Sequence, residues 1–296
     1  MRQIGPNSHA EFYFLGCNPG YVMTSEGALL IDSPQRGIDA LRYAEAIRES
    51  GPIRHIVNTE AHGDHVWGNS FFKDVPVVGS SALRREFENT WSGFGGPAGR
   101  LDRMKTGEAW LGDPESVWLM EQPDFAPHPP TTTFDDELTI ELGEHTIHCL
   151  RMPGHTQGQT SVYIPAEGVV FTGDTIFHRC RTWLHDAEPW QWLDALDRLA
   201  ELDVETIVPG HGEPCGKEYL SVQAQVIHDW LGVIGGFLTA GMTEDEVVAQ
   251  ETDACAEADP YPMAQRLWEL RNELTELNIR NLYRQVAARE SAMSPG

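Results

Sequence analysis

The sequence predicts an α/β protein in which two mixed β-sheets pack face to face, helices cover their outer faces, and a helical segment follows. Three observations predict it. Short apolar runs bounded by Gly, Pro, Asn and Ser read as strands, and they alternate with amphipathic stretches of helix length. This alternation occurs in two halves, one before Trp91 and one after Leu138. From Lys217 onward the chain reads as helix throughout.

In the first half, Glu11 to Gly16, Gly20 to Thr24 and Ala28 to Asp32 read as strands, separated by Asn18-Pro19-Gly20 and Ser25-Glu26-Gly27. Gly37 to Ser50 reads as a helix with Ile38, Leu41, Ala44 (or Tyr43) and Ile47 on one face, and Gly51-Pro52 stops it. His55 to Asn58 is a short buried strand that runs into a loop dense in acid and histidine. Trp67 to Phe72 is a brief helix, Pro76 to Val78 a strand and Ser80 to Trp91 a helix. Between Ser92 and Pro130, Gly and Pro punctuate a segment without clear periodicity, which reads as a lid or as a packed insertion. The second half holds strands at Leu138 to Leu142, Thr146 to Leu150, Thr160 to Ile164, Val169 to Thr172 and Thr206 to Val208, with a helix at Trp190 to Leu202. We therefore expect one domain over 1–216, containing the 92–130 insertion, and a C-terminal helical extension over 217–296. In the extension Met263, Leu267, Leu270, Leu274, Leu277, Leu282 and Val286 form a stripe spaced by threes and fours. It either packs on the body or forms a homodimer contact.

Composition removes several function classes. With 296 residues and 41% hydrophobic content, the chain can bury a full core, and dominant disorder is excluded. A formal charge of −24 at pH 7 repels phosphate backbones, and no basic groove is evident, so no nucleic-acid partner is expected. The longest apolar runs, such as Gly27 to Ile31 and Gly168 to Phe171, fall far short of the roughly 20 residues that a membrane span needs. The N-terminus carries no apolar signal-peptide region, and the five cysteines are widely spaced, without a CxxC. These features lead us to expect a cytoplasmic protein with reduced thiols and no membrane partner.

Chemistry concentrates in Asn58-Thr-Glu-Ala-His-Gly-Asp-His65, where Glu60, His62, Asp64 and His65 lie within six residues. Alternating positions of an extended loop project to one side, and the turn brings His65 alongside. Such a density of metal-ligand types is rare by chance. Three further loops repeat the pattern of a ligand after a strand: Pro153-Gly-His155, Thr172-Gly-Asp174 and Pro209-Gly-His211. Each has a glycine beside the ligand, which permits a tight turn. If the strand ends converge, the seven groups suffice for two divalent ions, three apiece and one shared.

With this spacing of motifs (x-H-x-D-H, then PGHTxGQ, TGDT and PGHG) the sequence resembles the metallo-β-lactamase-fold hydrolases from about Glu11 to Gly216. The resemblance implies a four-layer αββα sandwich with two divalent metal ions, zinc in first place. Glu60, His62 and His155 would then hold metal one, Asp64, His65 and His211 metal two, and Asp174 would bridge. Asp32 matches the acid that orients the metal loop. One position departs from the family, which mostly has histidine where this chain has Glu60. The extra carboxylate brings the site nearer neutrality and admits harder metals such as Mn or Fe.

The implied activity is hydrolysis, in which a metal-bridging hydroxide attacks the carbonyl of a small-molecule ester, lactone, thioester or amide. Asp64 and Asp174 would serve as catalytic carboxylates able to take a proton. One alternative is a non-haem iron dioxygenase of the same fold acting on a sulfur substrate, because Glu60, His62 and His155 form a two-histidine, one-carboxylate set. The other is a non-catalytic binding homologue. For substrate contacts, His178, Arg179, Arg181 and Trp183 follow the bridging acid, and either arginine can pair with a substrate carboxylate. Trp91, Phe94, Trp110 and Trp118 would form an aromatic wall if the insertion folds over the site.

Overall fold

A computed structural model describes residues 1–93, 114–122, 125–250, 253–264 and 271–293. Among them, β1 (Arg2–Gln3), β2 (Ser8–Ala10), β3 (Gly20–Thr24), β4 (Gly27–Ile31), β5 (Ile53–Val57), β6 (Val77–Ser80) and β7 (Thr132–Phe134) form one sheet in that order. Pairing is antiparallel up to β4 and parallel beyond it. The parallel half requires crossovers, which α1 (Gly37–Arg48), the short α2 (Gly63–Val66) and α3 (Ser81–Gly93) supply. Helix α4 (Pro114–Met120) precedes β7. The second sheet runs β12 (Thr206–Gly212), β11 (Val169–His178), β10 (Thr160–Ile164), β9 (His145–Arg151), β8 (Glu137–Leu142), parallel only between β11 and β12. Helix α5 (Pro189–Glu201) makes that last crossover, and α6 (Glu218–Thr239), α7 (Glu244–Gln250), α8 (Asp253–Ala258) and α9 (Arg271–Met293) follow.

The two-residue period of the strands sorts side chains into layers. Leu29 and Ile31 of β4, with Val57 and Val78, meet Ile147, Cys149, Val162 and Phe171 between the sheets. Ala28 and Leu30 point the other way, onto Tyr43, Ala44 and Ile47 of α1. On the far side, Val170 and Ile207 share a core with Trp192 of α5, Trp230 of α6 and Leu282 of α9. Each such buried side chain contributes about 1.5–3 kcal/mol. This is the αββα sandwich, with the C-terminal helices completing its fourth layer. Residues beyond 217 thus share the core of the second sheet instead of building one of their own. In the C-terminal stripe, Met263, Leu274, Leu282 and Val286 are buried in the body, and Leu277 is 40% exposed; Leu267 and Leu270 lie outside the described residues. No described helix is long and apolar enough to cross a membrane.

Three expectations need correction. Glu11 to Gly16 is not a strand: Ser8–Ala10 pairs with β3 instead, and the Glu11 carboxylate accepts Phe12 N and Tyr13 N at 2.9 and 3.1 Å, bending the chain. Strands β11 and β12 run past their predicted ends to His178 and Gly212, so Asp174 and His211 lie within paired strands, beside register shifts at Gly173. The glycines that suggested turns are where the ladder slips. The described part of the insertion does not fold over the site: α4 packs on α1, where Ser116 Oγ accepts Ile38 N at 3.3 Å, and Trp118 is 60% exposed. Phe94 and Trp110, and the side chain of Trp91, lie outside what is described.

Candidate metal centre

The ends of β4, β5, β9, β11 and β12 converge on one edge of the sandwich, and the seven groups meet there. Glu60, His62 and His155 offer ligand atoms within 4.8 Å of one another, and so do Asp64, His65 and His211. Asp174 lies between the two groups, with Oδ1 3.3 Å from His65 Nε2 and Oδ2 3.6 and 3.4 Å from the Nε2 atoms of His155 and His211. Glu60 also reaches both sides: Oε2 is 2.5 Å from His62 Nδ1 and 3.5 Å from His155 Nε2, and Oε1 is 3.4 Å from His65 Nε2. Gly210 permits this approach, because any Cβ there would strike Asp174 Oδ1.

The outer nitrogen of three histidines is occupied, which fixes the inner one. Asp32, in the left-handed region at φ 57°, accepts Thr59 N at 2.7 Å, Thr59 Oγ1 at 2.6 Å and His65 Nδ1 at 2.9 Å. His155 Nδ1 donates to the Trp183 carbonyl at 2.8 Å, and His62 Nε2 donates to Asp186 Oδ2 at 3.2 Å. The buried amides of Asn58 and Asn69 pair at 2.7 Å beneath the loop, and Asn58 also holds His65 O at 3.2 Å. Sequence reasoning found Asp32 but missed Asn58, Asn69, His185 and Asp186. A polar residue inside an apolar strand end was the available signal for Asn58; nothing local marks Asp186.

The polar atoms left over point inward. Both Glu60 oxygens, His65 Nε2 and Asp174 Oδ1 are buried and, among the described residues, meet one another and the neighbouring imidazoles as ion-pair contacts, with no neutral donor or acceptor to satisfy them. Leaving one such group unsatisfied costs about 1–3 kcal/mol, and more when it is charged. Burial alone would raise the Glu60 and Asp174 carboxyls, yet neighbouring histidines hold both below the usual range: chiefly His62 for Glu60, and His211 with His65 for Asp174. Conversely, burial disfavours the His211 cation, but Asp174 and Asp64 carry it up to about 10. His62 and His65 move well upward against burial, with Glu60 first among the carboxylates acting on each. Two buried carboxylates and the half-buried Asp64 therefore demand positive charge, and the donor set (imidazole and carboxylate only, with locked tautomers) fits divalent cations.

Beside His211 opens a cleft of about 330 Å³ lined by Phe12, Asn18, His178, Arg179, Pro262 and Met263 among others. Arg179 is exposed there on a left-handed backbone (φ 57°), its N–H held by Tyr219 Oη at 2.8 Å, and no ion pair engages its guanidinium among the described residues. Arg181 is a correction: it is 2% exposed, donates to Asp259 O and Thr275 Oγ1 at 3.0 and 3.1 Å, and cannot meet substrate. His178 lines the cleft with Nδ1 donating to Glu213 O at 2.6 Å. Trp183 is half-buried, and its carbonyl places His155.

Residues 13–211 match the metallo-beta-lactamase superfamily. The chain belongs to that superfamily. It is 26% identical over 219 residues to a hydroxyacylglutathione hydrolase of Erythrobacter litoralis, covering 73% of this chain and 68% of the relative. It is 27% identical to the acyl-coenzyme A thioesterase MBLAC2 of Bos taurus, over 59% of this chain and 62% of that one. Other hydroxyacylglutathione hydrolases are matched over as little as 32% of their length. Among solved structures, a metallo-beta-lactamase from Pontibacter korlensis superposes with a TM-score of 0.56 at 20% identity, covering 77% of this chain and 97% of that one. In this member of the superfamily, the carboxylate of Glu60 occupies the first position of the loop motif.

Proposed function

We propose that this protein is a cytoplasmic metal-dependent hydrolase holding two divalent ions, and that its substrate is a small acyl thioester with an anionic group. The observation that carries the reading is that buried carboxylate and imidazole atoms of Glu60, His65 and Asp174 face one another between two three-residue clusters. His65 Nε2 lies 3.4 Å from Glu60 and 3.3 Å from Asp174, with no neutral group to satisfy these atoms among the described residues. Glu60, His62 and His155 would hold one ion, Asp64, His65 and His211 the other, with Asp174 between them. Zinc comes first among candidates, and Glu60 admits manganese or iron. When bound, the ions supply a water of lowered pKa and positive charge for the developing oxyanion.

The chain's own residues do the rest. Asp174 has both oxygens committed between His65, His155 and His211, so it fixes the spacing of the two clusters. Asp64 is the more open carboxylate, 23% exposed against 5% for Asp174, and would be the one to accept a proton and pass it toward solvent. Arg179, exposed in the cleft beside His211 and without an ion pair among the described residues, would bind the substrate's anionic group. The thioester class rests on the names of the two relatives, and five cysteines with no disulfide among the described residues suit a reducing compartment.

A turnover panel tests this: hydroxyacylglutathione and acyl-coenzyme A thioesters against matched oxygen esters, lactones and a β-lactam, before and after chelation. The reading expects thioester hydrolysis that chelation removes and added metal restores. Oxygen uptake by the Fe(II)-loaded protein without hydrolysis would overturn it.

A further inference from the structure

Both histidines of the Glu60 cluster take their outer partners from one loop, the irregular stretch between β11 and α5. Trp183 O accepts His155 Nδ1, Asp186 Oδ2 accepts His62 Nε2, and the His185 ring stacks on His62 at 5.2 Å. The Asp64 cluster is anchored elsewhere: His65 bonds to Asp32, and His211 stacks on Phe177 at 5.4 Å. A loop without a ladder must find other partners for its backbone groups. Here α9 supplies four of them. Asn278, fully buried, accepts Leu184 N at 2.8 Å and donates to Thr182 O at 3.0 Å. Asn281, three residues on and on the same helix face, donates to Leu184 O at 2.6 Å and Ala187 O at 2.9 Å. These four bonds bracket Trp183, His185 and Asp186.

We infer that α9 is a positioning element for metal one alone: Asn278 and Asn281 hold the loop whose Trp183 carbonyl and Asp186 carboxylate set the rotation of His155 and His62. The inference rests on the metal reading proposed above. Its physical basis is the rigidity of metal sites, where partners of the ligating histidines typically change metal affinity by about 10- to 100-fold. An amide on a C-terminal helix thereby tunes one of two adjacent ions without touching either.

The experiment separates the two sites by background. In His211→Ala only metal one should bind, and in His62→Ala only metal two. Co(II) titration followed by visible absorbance, with metal content after chelator dialysis, gives each affinity. Asn281→Leu should weaken Co(II) binding about tenfold or more in the His211→Ala background and less than about twofold in the His62→Ala background. Arg284→Ala, elsewhere on α9, which removes an ion pair to Glu244 of α7, should change neither. Asp186→Ala reaches His62 without perturbing α9 and should reproduce the selective loss, with Asp186→Asn intermediate because it keeps an acceptor oxygen. Equal weakening in both backgrounds, or none in either, overturns the inference. A parent chain that binds no Co(II) overturns the metal reading and this inference with it.

Discussion

Glu60 Oε2 lies 2.5 Å from His62 Nδ1, while the outer nitrogen of that ring is tied to Asp186. The imidazole is thus turned so that its inner nitrogen meets the Glu60 carboxylate and His155 Nε2 at one point. Glu60→Gln keeps the shape and removes a charge, and should weaken metal one several-fold or more. Glu60→His should raise zinc preference and move the acidic limb of the pH–rate profile downward, as a less negative ligand set lowers the pKa of bound water. Metal content and pH profiles of both variants check this; no change in either would place Glu60 outside the ligand set.

Asp174 touches histidines of both clusters, whereas His211 belongs to one. Asp174→Ala should therefore lose both ions and cut turnover by more than about 100-fold, the upper end of what mere partner residues cost. His211→Ala should empty metal two and retain one equivalent. Elemental analysis after dialysis distinguishes the two patterns.

The charged histidines give a pH dependence with a definite sign. Raised pKa values for His62 and His65, and about 10 for His211, mean that these rings carry protons at neutral pH while the carboxylates stay ionised. Metal ligation needs neutral imidazole, so binding releases protons and affinity rises with pH. One such ring lies in the Glu60 cluster and two in the Asp64 cluster. Affinity should then climb with pH at both sites between about pH 6 and 8, since raised imidazoles lie in each cluster. Calorimetry in buffers of different ionisation enthalpy counts the protons; pH-independent binding would contradict the assignment.

Much of this candidate centre was legible in the sequence because its grouped side chains are local or carry local signals. Glu60 to His65 fall within one loop, and His155, Asp174 and His211 each sit beside a glycine after an apolar run. What could not be read depends on distant pairing. Asp186 meets His62 across 124 positions, and Asn278 meets Leu184 across 94. The arginines show the same limit. Arg179 and Arg181 look equivalent after Asp174, but a left-handed turn at 179 sends one to the cleft, and a buried hub around Asp259 takes the other. Strand ends failed where polar and glycine residues continued a ladder through a bulge, as at Gly173.

Arg179 should matter for binding more than for chemistry. A charge-assisted hydrogen bond is worth about 1.5–3 kcal/mol, or roughly 10- to 100-fold. Arg179→Ala should raise KM by about that factor for acyl thioesters bearing a carboxylate or phosphate, with kcat little changed, and leave neutral thioesters nearly unaffected. Equal losses on neutral and anionic substrates would remove it from substrate recognition. Arg181→Ala should instead lower the melting temperature, since it leaves Asp259 O and Thr275 Oγ1 buried without their donor.

The central claim is two cations within seven named side chains. Anomalous diffraction from crystals of the metal-loaded protein, recorded at the absorption edge of the bound metal, tests it most directly. The account predicts two peaks, one enclosed by Glu60, His62 and His155, the other by Asp64, His65 and His211, with Asp174 between them. A single peak, or peaks away from these residues, would contradict it.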